Sequence, residues 1–373
     1  MDEKIFKNAI ILRGPDLEPV EGFIRIGDGV IKEISSGEPS EFDSDLSNSI
    51  IMPPFVNAHT HVGDSVKRDI YAGRSQPEVV GSNGSKFRAL EQSSRSSKVE
   101  AINRSLRLMR DSGTIAHIDF REEGLCGISL LRDAEVSGIE SLCLARLIGG
   151  EDIGDLLDCS QGIGIPSLES YSSDEVEEIS NSTNSRGKLL SFHVSETKSA
   201  HEHSLSETGK TEIERALEYD PDFLIHGVWA EREDLARLKE RNVPLVVCPR
   251  SNSLLSTGIP PLSEAIQTGV ELWIGTDNAS VCSPIMFQEL SYAWMVLRLQ
   301  DEKAGEFEAR ELLKSATIYP SENLNLKGGP LEEGGRANFF VLSRDQELED
   351  CENIHVGIVN RARERHLKKI FHQ

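Results

Sequence analysis

Apolar and polar positions change their rhythm twice along this chain. Over residues 1–50 short apolar runs alternate with turns: KIFKNAIIL comes first, then GFIRIGDGVIKEI. The Gly27-Asp28-Gly29 step between FIRI and VIKEI predicts a hairpin. Residues 39–49 are polar and read as loop. At the far end GGRANFFVLS, HVGIVN and RHLKKIF read as strands with Gly and acidic breaks between them. Two β pieces at opposite ends of a chain, each too small for a core of its own, are expected to fold together.

The middle of the chain keeps a different rhythm. Eight β-branched runs recur: IIMPPFVNAH (50–59), GTIAHIDF (113–120), IESLCLARLI (139–148), GIGIPS (162–167), KLLSFHVS (188–195), DFLIHG (222–227), VPLVVCP (243–249) and VELWIGTD (270–277). Helical patterns lie between and after them, at 98–111, 125–137, 173–181, 210–218, 231–241, 261–268, 285–300 and 308–318. This alternation predicts an α/β chain with a (β/α)8 TIM barrel over 51–327. A small β-sandwich domain is expected from both termini, 1–50 plus 328–373. A doubly wound sheet would more often carry a Gly-rich fingerprint after its first strand, and Gly154, Gly162 and Gly164 do not form one. The stretch 65–97 is long, polar and Gly/Ser-rich for a loop after a strand, and is expected to be a functional lid or disordered.

Charge narrows the range of functions. The chain has 373 residues, with 40 Lys+Arg against 62 Asp+Glu and a formal net charge of −22. That balance argues against binding nucleic acid through its phosphates and against a polybasic membrane anchor. No 18 apolar residues run together, and the first apolar stretch, in MDEKIFKNAIILRG, is broken by charges. Six cysteines form no CxxC pair and are expected to be reduced thiols packed as small hydrophobes. A cytoplasmic protein is the expectation.

Chemistry gathers at the ends of the expected strands. The first ends in His59-Thr60-His61, where alternation points both imidazoles to one side. The fifth ends in His193, with Glu196 three residues on. The sixth ends in His226 and the eighth in Asp277. Active sites of such barrels lie at the strands' C-terminal ends, so His and Asp side chains from four strands are aimed at one spot. Three or four N/O ligands with an open position suit a catalytic Zn²⁺ or Fe²⁺.

These segments carry a family resemblance. PPFVNAHTH, HVSE, LIHG and CPRSNSLLSTGIPPLSEAIQTGVELWIGTDNAS, with EEGGRANFFVLS near the end, resemble the amidohydrolase superfamily over nearly the whole chain. Within it the likeness is to the cytosine, guanine and adenosine-type deaminases and the triazine chlorohydrolases. The resemblance implies that His59, His61, His193 and Asp277 hold one divalent metal, zinc first and iron(II) as the alternative. It also implies that His226 orients the activated water and that Glu196 shuttles protons. A divalent metal lowers the pKa of such a water toward about 7. Asp277 can take its proton, and Glu196 can protonate a ring nitrogen and then departing ammonia.

One metal is favoured over two. Binuclear relatives bridge their metals with a carboxylated Lys at the end of strand four, and GIGIPSLES has none; Lys188 begins strand five, and Glu151 lies too far past strand three. The implied activity is hydrolytic deamination of an amino-substituted N-heterocycle (a nucleobase, nucleoside or pterin-like compound), a hydrolase reaction at a carbon–nitrogen bond other than a peptide bond. The alternatives are displacement of halide or an alkylamine, opening of a cyclic amide, and a non-catalytic barrel scaffold. Expected partners are the heterocycle and water, with neither nucleic acid nor membrane; a homo-oligomer is expected from the resemblance alone.

The likeness has gaps. The 65–97 loop lacks the Trp and Glu pattern of related nucleoside deaminases, and Gly335-Arg336-Ala337-Asn338 ends in Asn where relatives have Asp. Arg121 and Glu122 after strand two, Asn252 after strand seven and Asn278 after Asp277 are candidate substrate contacts on the same rim. Trp229 either walls the pocket or packs. His117, inside strand two, is expected to be a buried hydrogen-bonded residue, and His201-Glu202-His203 to lie in a solvated loop.

Overall fold

The computed structural model describes residues 3–371 apart from 82, 135 and 346. Its first four strands are β1 (Lys4–Arg13), β2 (Glu18–Gly27), β3 (Val30–Ser36) and β4 (Ser44–Met52). The β2–β3 hairpin turns on Asp28 and Gly29, with φ of 55° and 75°. Two successive left-handed residues match the right-handed twist of flanking strands. Eight strands follow: β5 (Phe55–His61), β6 (Thr114–Arg121), β7 (Glu140–Ala145), β8 (Gly162–Ile165), β9 (Leu189–Val194), β10 (Phe223–His226), β11 (Leu245–Val247) and β12 (Leu272–Ile274). The short β13 (Asp277–Asn278) continues β12, and β14 (Phe339–Ser343) and β15 (Leu367–Phe371) end the described chain.

All eight expected barrel strands are present and pair in parallel in sequence order. The ring closes through one segment. Residues 272–274 pair with β11, and Asp277 and Asn278, two residues on, pair with Thr60 and His61 of β5. Asn57 holds that closure: its Oδ1 accepts from Thr276 N at 2.9 Å and its Nδ2 donates to Thr276 Oγ1 at 2.7 Å. Alternation along the strands splits the apolar residues. Val56, Ile118, Phe120, Phe223, Ile225, Val246 and Trp273 form one buried cluster, while Leu224, Leu245, Val247, Leu272 and Ile274 pack into the larger one with the helices.

The termini form one six-stranded sheet, in the order β15-β14-β4-β1-β2-β3, where two facing sheets were expected. Phe6 on β1 and Phe371 on β15 have ring centroids 4.9 Å apart, although two strands separate theirs. Three strand spacings in a flat sheet would span roughly 14 Å. The sheet therefore rolls over its own apolar face, which holds Phe6, Ile24, Ile51 and Phe339. Its other face, with Ile50, Met52 and Phe340, joins the barrel's larger cluster.

Four local expectations are corrected. Residues 44–49, within the stretch read as loop, belong to strand β4, and Pro53-Pro54, which lack donors for a ladder, divide β4 from β5 inside the single run expected at 50–59. HVGIVN is helix, Ile354–Arg361, capped by the Asn353 side chain accepting from Val356 N. The polar stretch 65–97 carries helices Gln76–Val80 and Ser85–Glu91 and the start of Arg95–Asp111. His201-Glu202-His203 lies on helix Lys198–Thr208, with His201 buried against Ser195 Oγ. The helix expected at 125–137 spans Gly124–Asp133, and residue 135 of that expectation lies outside the described residues. Among the described residues no helix is long and apolar enough to cross a membrane. Cys143, Cys248 and Cys282 are buried as expected, while Cys126 is exposed.

Candidate active site

Strand alternation alone would not assemble the histidine cluster. On β10, Phe223 and Ile225 face the barrel interior, so His226 should point outward. Its φ of 75°, with 51° at Gly227, turns the side chain back in. Asp277 (φ 60°) and Ser195 (φ 46°), which precedes Glu196, are left-handed too. Left-handed non-glycine residues cost free energy and gather at functional sites, where the surroundings hold them. Here Ser195 is held by Glu212, whose Oε2 accepts its backbone N–H at 2.7 Å.

The result is a compact group. The His59 ring lies 4.9 Å from His61, 4.9 Å from His193 and 5.7 Å from His226, centroid to centroid. Asp277 Oδ1 is 3.3 Å from His59 Nε2 and 3.5 Å from His61 Nε2. In two overlapping triads, His59–His61–Asp277 and His59–His193–His226, the ligand atoms come within 4.8 Å of one another. Both ring nitrogens of His59 and Nδ1 of His61 are buried without a hydrogen bond. Polar atoms left so are costly unless something outside the chain binds them, and neutral imidazoles beside a carboxylate suit a divalent metal. Burial is the largest influence on all four imidazoles and lowers each from its ordinary pKa, His61 and His193 well below it. The rings are therefore neutral near pH 7, the form that ligates.

Two outer contacts fix ring orientation. His193 Nδ1 donates to Ile165 O at 3.0 Å, which leaves the Nε2 lone pair facing the group. Asn252 Nδ2 lies 3.2 Å from His226 Nδ1. An amide nitrogen only donates, so His226 Nδ1 accepts and its Nε2 carries the proton. His226 is thus arranged as a hydrogen-bond donor toward the centre. Ser251 Oγ donates to Asp277 Oδ2.

Above the histidines opens a cavity of about 610 Å³. Glu196 stands in its wall, its Oε2 accepting from Gln76 Nε2 at 3.2 Å. Desolvation, with the Asp277 charge adding to it, pushes the Glu196 carboxyl up to about 7. The cavity wall also holds a buried ionic cluster. Lys86 Nζ lies 2.7 Å from Glu122 Oε1 and 3.0 Å from Asp64 Oδ2, and Arg146 Nη1 lies 2.8 Å from Glu122 Oε2. Burial alone would raise Glu122; Lys86 and then Arg146 outweigh it and hold the carboxyl at about 2. A larger hollow of about 910 Å³ lies between helices Met286–Gln300 and Ile354–Arg361, and it holds none of the clustered histidines.

The six residues expected to do the chemistry, His59, His61, His193, His226, Asp277 and Glu196, lie together. The rim residues fare unevenly. Glu122 and Asn278 line the cavity, with Asn278 donating to Asp64 Oδ2 at 2.8 Å. Asn252 acts through His226. Arg121 is not in the lining: it is buried, paired with Asp119 Oδ2 at 2.7 Å and packed against Gly63, where a Cβ would come 2.1 Å from its guanidinium. Trp229 packs, donating to Thr257 O at 2.8 Å, and does not line the cavity. His117 is buried and hydrogen-bonded to Thr60 and Ser141, as expected. Sequence reading missed Asp64, Gln76, Lys86 and Arg146. Only the helix that carries Gln76 had a signal, the Ser75-x-x-Glu78 capping box.

Comparison with known proteins agrees with this geometry. The amidohydrolase family profile matches residues 160–364. A putative aminohydrolase of Methanothermobacter thermautotrophicus is 34% identical over 92% of this chain and 92% of its own. A 5-methylthioadenosine/S-adenosylhomocysteine deaminase of Pyrococcus furiosus is 24% identical over 91% of this chain and 86% of its own. Among solved structures, guanine deaminase from C. acetobutylicum superposes with a TM-score of 0.83 at 19% identity, over 100% of this chain and 99% of that one. By profile, sequence and the arrangement of its strand-end histidines, this chain belongs to the amidohydrolase family.

Proposed function

We propose that the protein is a metal-dependent hydrolase that deaminates an amino-substituted nitrogen heterocycle, with water as co-substrate. The observation that carries this reading is the cluster of neutral imidazoles and a carboxylate, with buried ring nitrogens of His59 and His61 left without a hydrogen bond, below a carboxyl poised at about 7. His59, His61, His193 and Asp277 would hold one divalent ion, zinc first and iron(II) second. Such an ion supplies a water acidic enough to attack near neutral pH. His226, protonated on Nε2, would donate to the attacking water and orient it. Glu196, close to half protonated at neutral pH, would give its proton to a ring nitrogen, take one from the attacking water and pass it to the leaving amine, and recover the second water proton as the oxo group forms. The net change is addition of water at the ring carbon and loss of ammonia, giving the oxo-heterocycle. The names of the relatives, aminohydrolase and deaminase, support this class over amide-ring opening. The reading treats 51–327 as the catalytic unit and 1–50 plus 328–373 as an accessory one, supported by the separate apolar cluster of the terminal sheet.

Ammonia release tests it, using the metal-loaded protein against purines, pyrimidines, their nucleosides and pterins. At least one is expected to release ammonia, and Glu196→Gln to keep its metal while losing about 100-fold or more in turnover. Normal turnover by Glu196→Gln would remove Glu196 from the mechanism. Chloride or alkylamine release without ammonia would change the leaving group.

A further inference from the structure

The stretch 65–97 runs against the charge of the chain. It carries six Lys and Arg against three Asp and Glu, in a protein whose formal net charge is −22. Four of those cations, Lys67, Arg68, Arg74 and Arg88, line one hollow of about 300 Å³. It shares no lining residue with the active-site cavity. Its lining has no carboxylate, and among the described residues none of the four cations is in an ion pair. Arg74 and Arg88 each donate Nη1 to a nearby carbonyl, Ile70 O at 2.8 Å and Asn83 O at 2.6 Å. Glu78, the acid whose charge Arg74 feels, is turned to Ser75, accepting from its backbone N at 2.8 Å and its hydroxyl at 2.7 Å. Ser85 Oγ, in the lining of the hollow, is buried without a hydrogen bond.

A hollow of this kind gathers anions. Cations of one sign around a concavity add their fields, and the guanidinium nitrogens left over keep the fork that fits phosphate oxygens. The Ser85 hydroxyl is one more donor for such an oxygen. The volume stands at the lower end of the range of roughly 300–1,000 Å³ for small-molecule sites, room for a phosphoryl group with a short organic body. The hollow and the active-site cavity also share two segments of chain. Arg74 stands two residues before Gln76, which donates to Glu196 at 3.2 Å. Arg88 stands two residues after Lys86, which pairs with Glu122 and Asp64. An anion held between the two arginines would tie these segments together, and with them part of the cavity wall.

We propose that this hollow binds a phosphate-bearing anion, free phosphate or the monoester of a small metabolite, and that its occupancy regulates the active site by stiffening the segments that carry Gln76 and Lys86. The proposal does not depend on which bond the active site breaks.

The test titrates the metal-loaded protein with inorganic phosphate and with glycerol 3-phosphate by calorimetry, at constant ionic strength because salt screens exposed cations. One equivalent is expected to bind, and the double variant Arg74→Gln, Arg88→Gln to weaken it by about tenfold or more. Tighter binding of inorganic phosphate identifies the free ion as the ligand, and tighter binding of glycerol 3-phosphate a monoester. Arg146 is 28% exposed with only Nη1 on Glu122, so it is a cation that an anion could reach inside the cavity. Arg146→Gln is the control and is expected to bind as the wild type does. No saturable binding of either probe, binding unchanged in the double variant, or binding lost in Arg146→Gln overturns the site. Hydrogen exchange over residues 65–92 reads the coupling: phosphate is expected to slow it in the wild type and not in the double variant. Exchange that phosphate leaves unchanged overturns the regulatory role. Both readouts work without a substrate, so their failure leaves the deaminase reading intact.

Discussion

The Glu196 carboxyl should weaken the metal-free fold, and replacing it should stabilise the protein as it destroys activity. Burial, with Asp277 beside it, lifts its pKa from 4.5 to about 7. That shift of about 2.5 units, at 1.36 kcal/mol each, is at most about 3 kcal/mol, and the partly exposed position in the cavity wall brings it toward about 2. The sign follows from proton binding. Below about pH 4.5 the carboxyl is protonated in both folded and unfolded chains and costs nothing extra. Between about pH 4.5 and 7 the unfolded chain ionises first, so folding stability from this group falls as pH rises, and above 7 the full cost applies. Glu196→Gln removes that cost. Urea unfolding of chelator-stripped protein should show the variant about 2–3 kcal/mol more stable than wild type at pH 8.5, with most of the difference gone at pH 5. Glu289, also raised to about 7 by burial, titrates in both proteins and cancels. A stability difference that is the same at both pH values would refute the argument. The stabilisation would come with the loss of turnover expected of the variant, the trade-off typical of strained active-site groups.

Other substitutions probe the surroundings. Lys86→Met leaves Asp64 and Glu122 buried without their cation and should cost about 3–5 kcal/mol in urea unfolding; a loss under 1 kcal/mol would mean the cluster is wetter than its geometry indicates. His61→Ala should abolish stoichiometric metal in elemental analysis, whereas His226→Ala should keep the metal and lower kcat. Gly275→Ala would set a Cβ 2.7 Å from the His59 backbone nitrogen, at the ring closure. It should destabilise by about 1–3 kcal/mol and reduce metal content, because the same segment carries Asp277. Full metal content in that variant would separate ring closure from ligand placement.

The barrel was legible because buried parallel strands are written as short β-branched runs, and all eight were. The site was legible because barrel chemistry sits at strand ends, where His59, His61, His193, His226 and Asp277 stand. What escaped has physical causes. Strand β4 begins Ser-Asp-Leu-Ser-Asn-Ser and is mostly exposed over those residues, so its sequence carries no alternation. HVGIVN is a short apolar run with β-branched residues, which periodicity cannot assign; the Asn353 cap made it a helix. Arg121 follows a strand on the functional face, yet its guanidinium is drawn inward by Asp119, two residues earlier. Lys86 and Arg146 carried no local signal, because their role depends on Glu122 and Asp64 arriving from elsewhere in the chain.

The terminal sheet also has a consequence for the order of folding. β4 lies between β1, from the chain's beginning, and β14, almost 300 residues further on. During synthesis, the edge of β4 that will receive β14 stays unpaired until residues 339–343 have emerged. Contacts of such sequence separation form late, and open strand edges invite pairing with other chains. The first four strands therefore wait, through the entire barrel, for partners made last. Until β14 is made, that edge of β4 is a template on which another chain could pair.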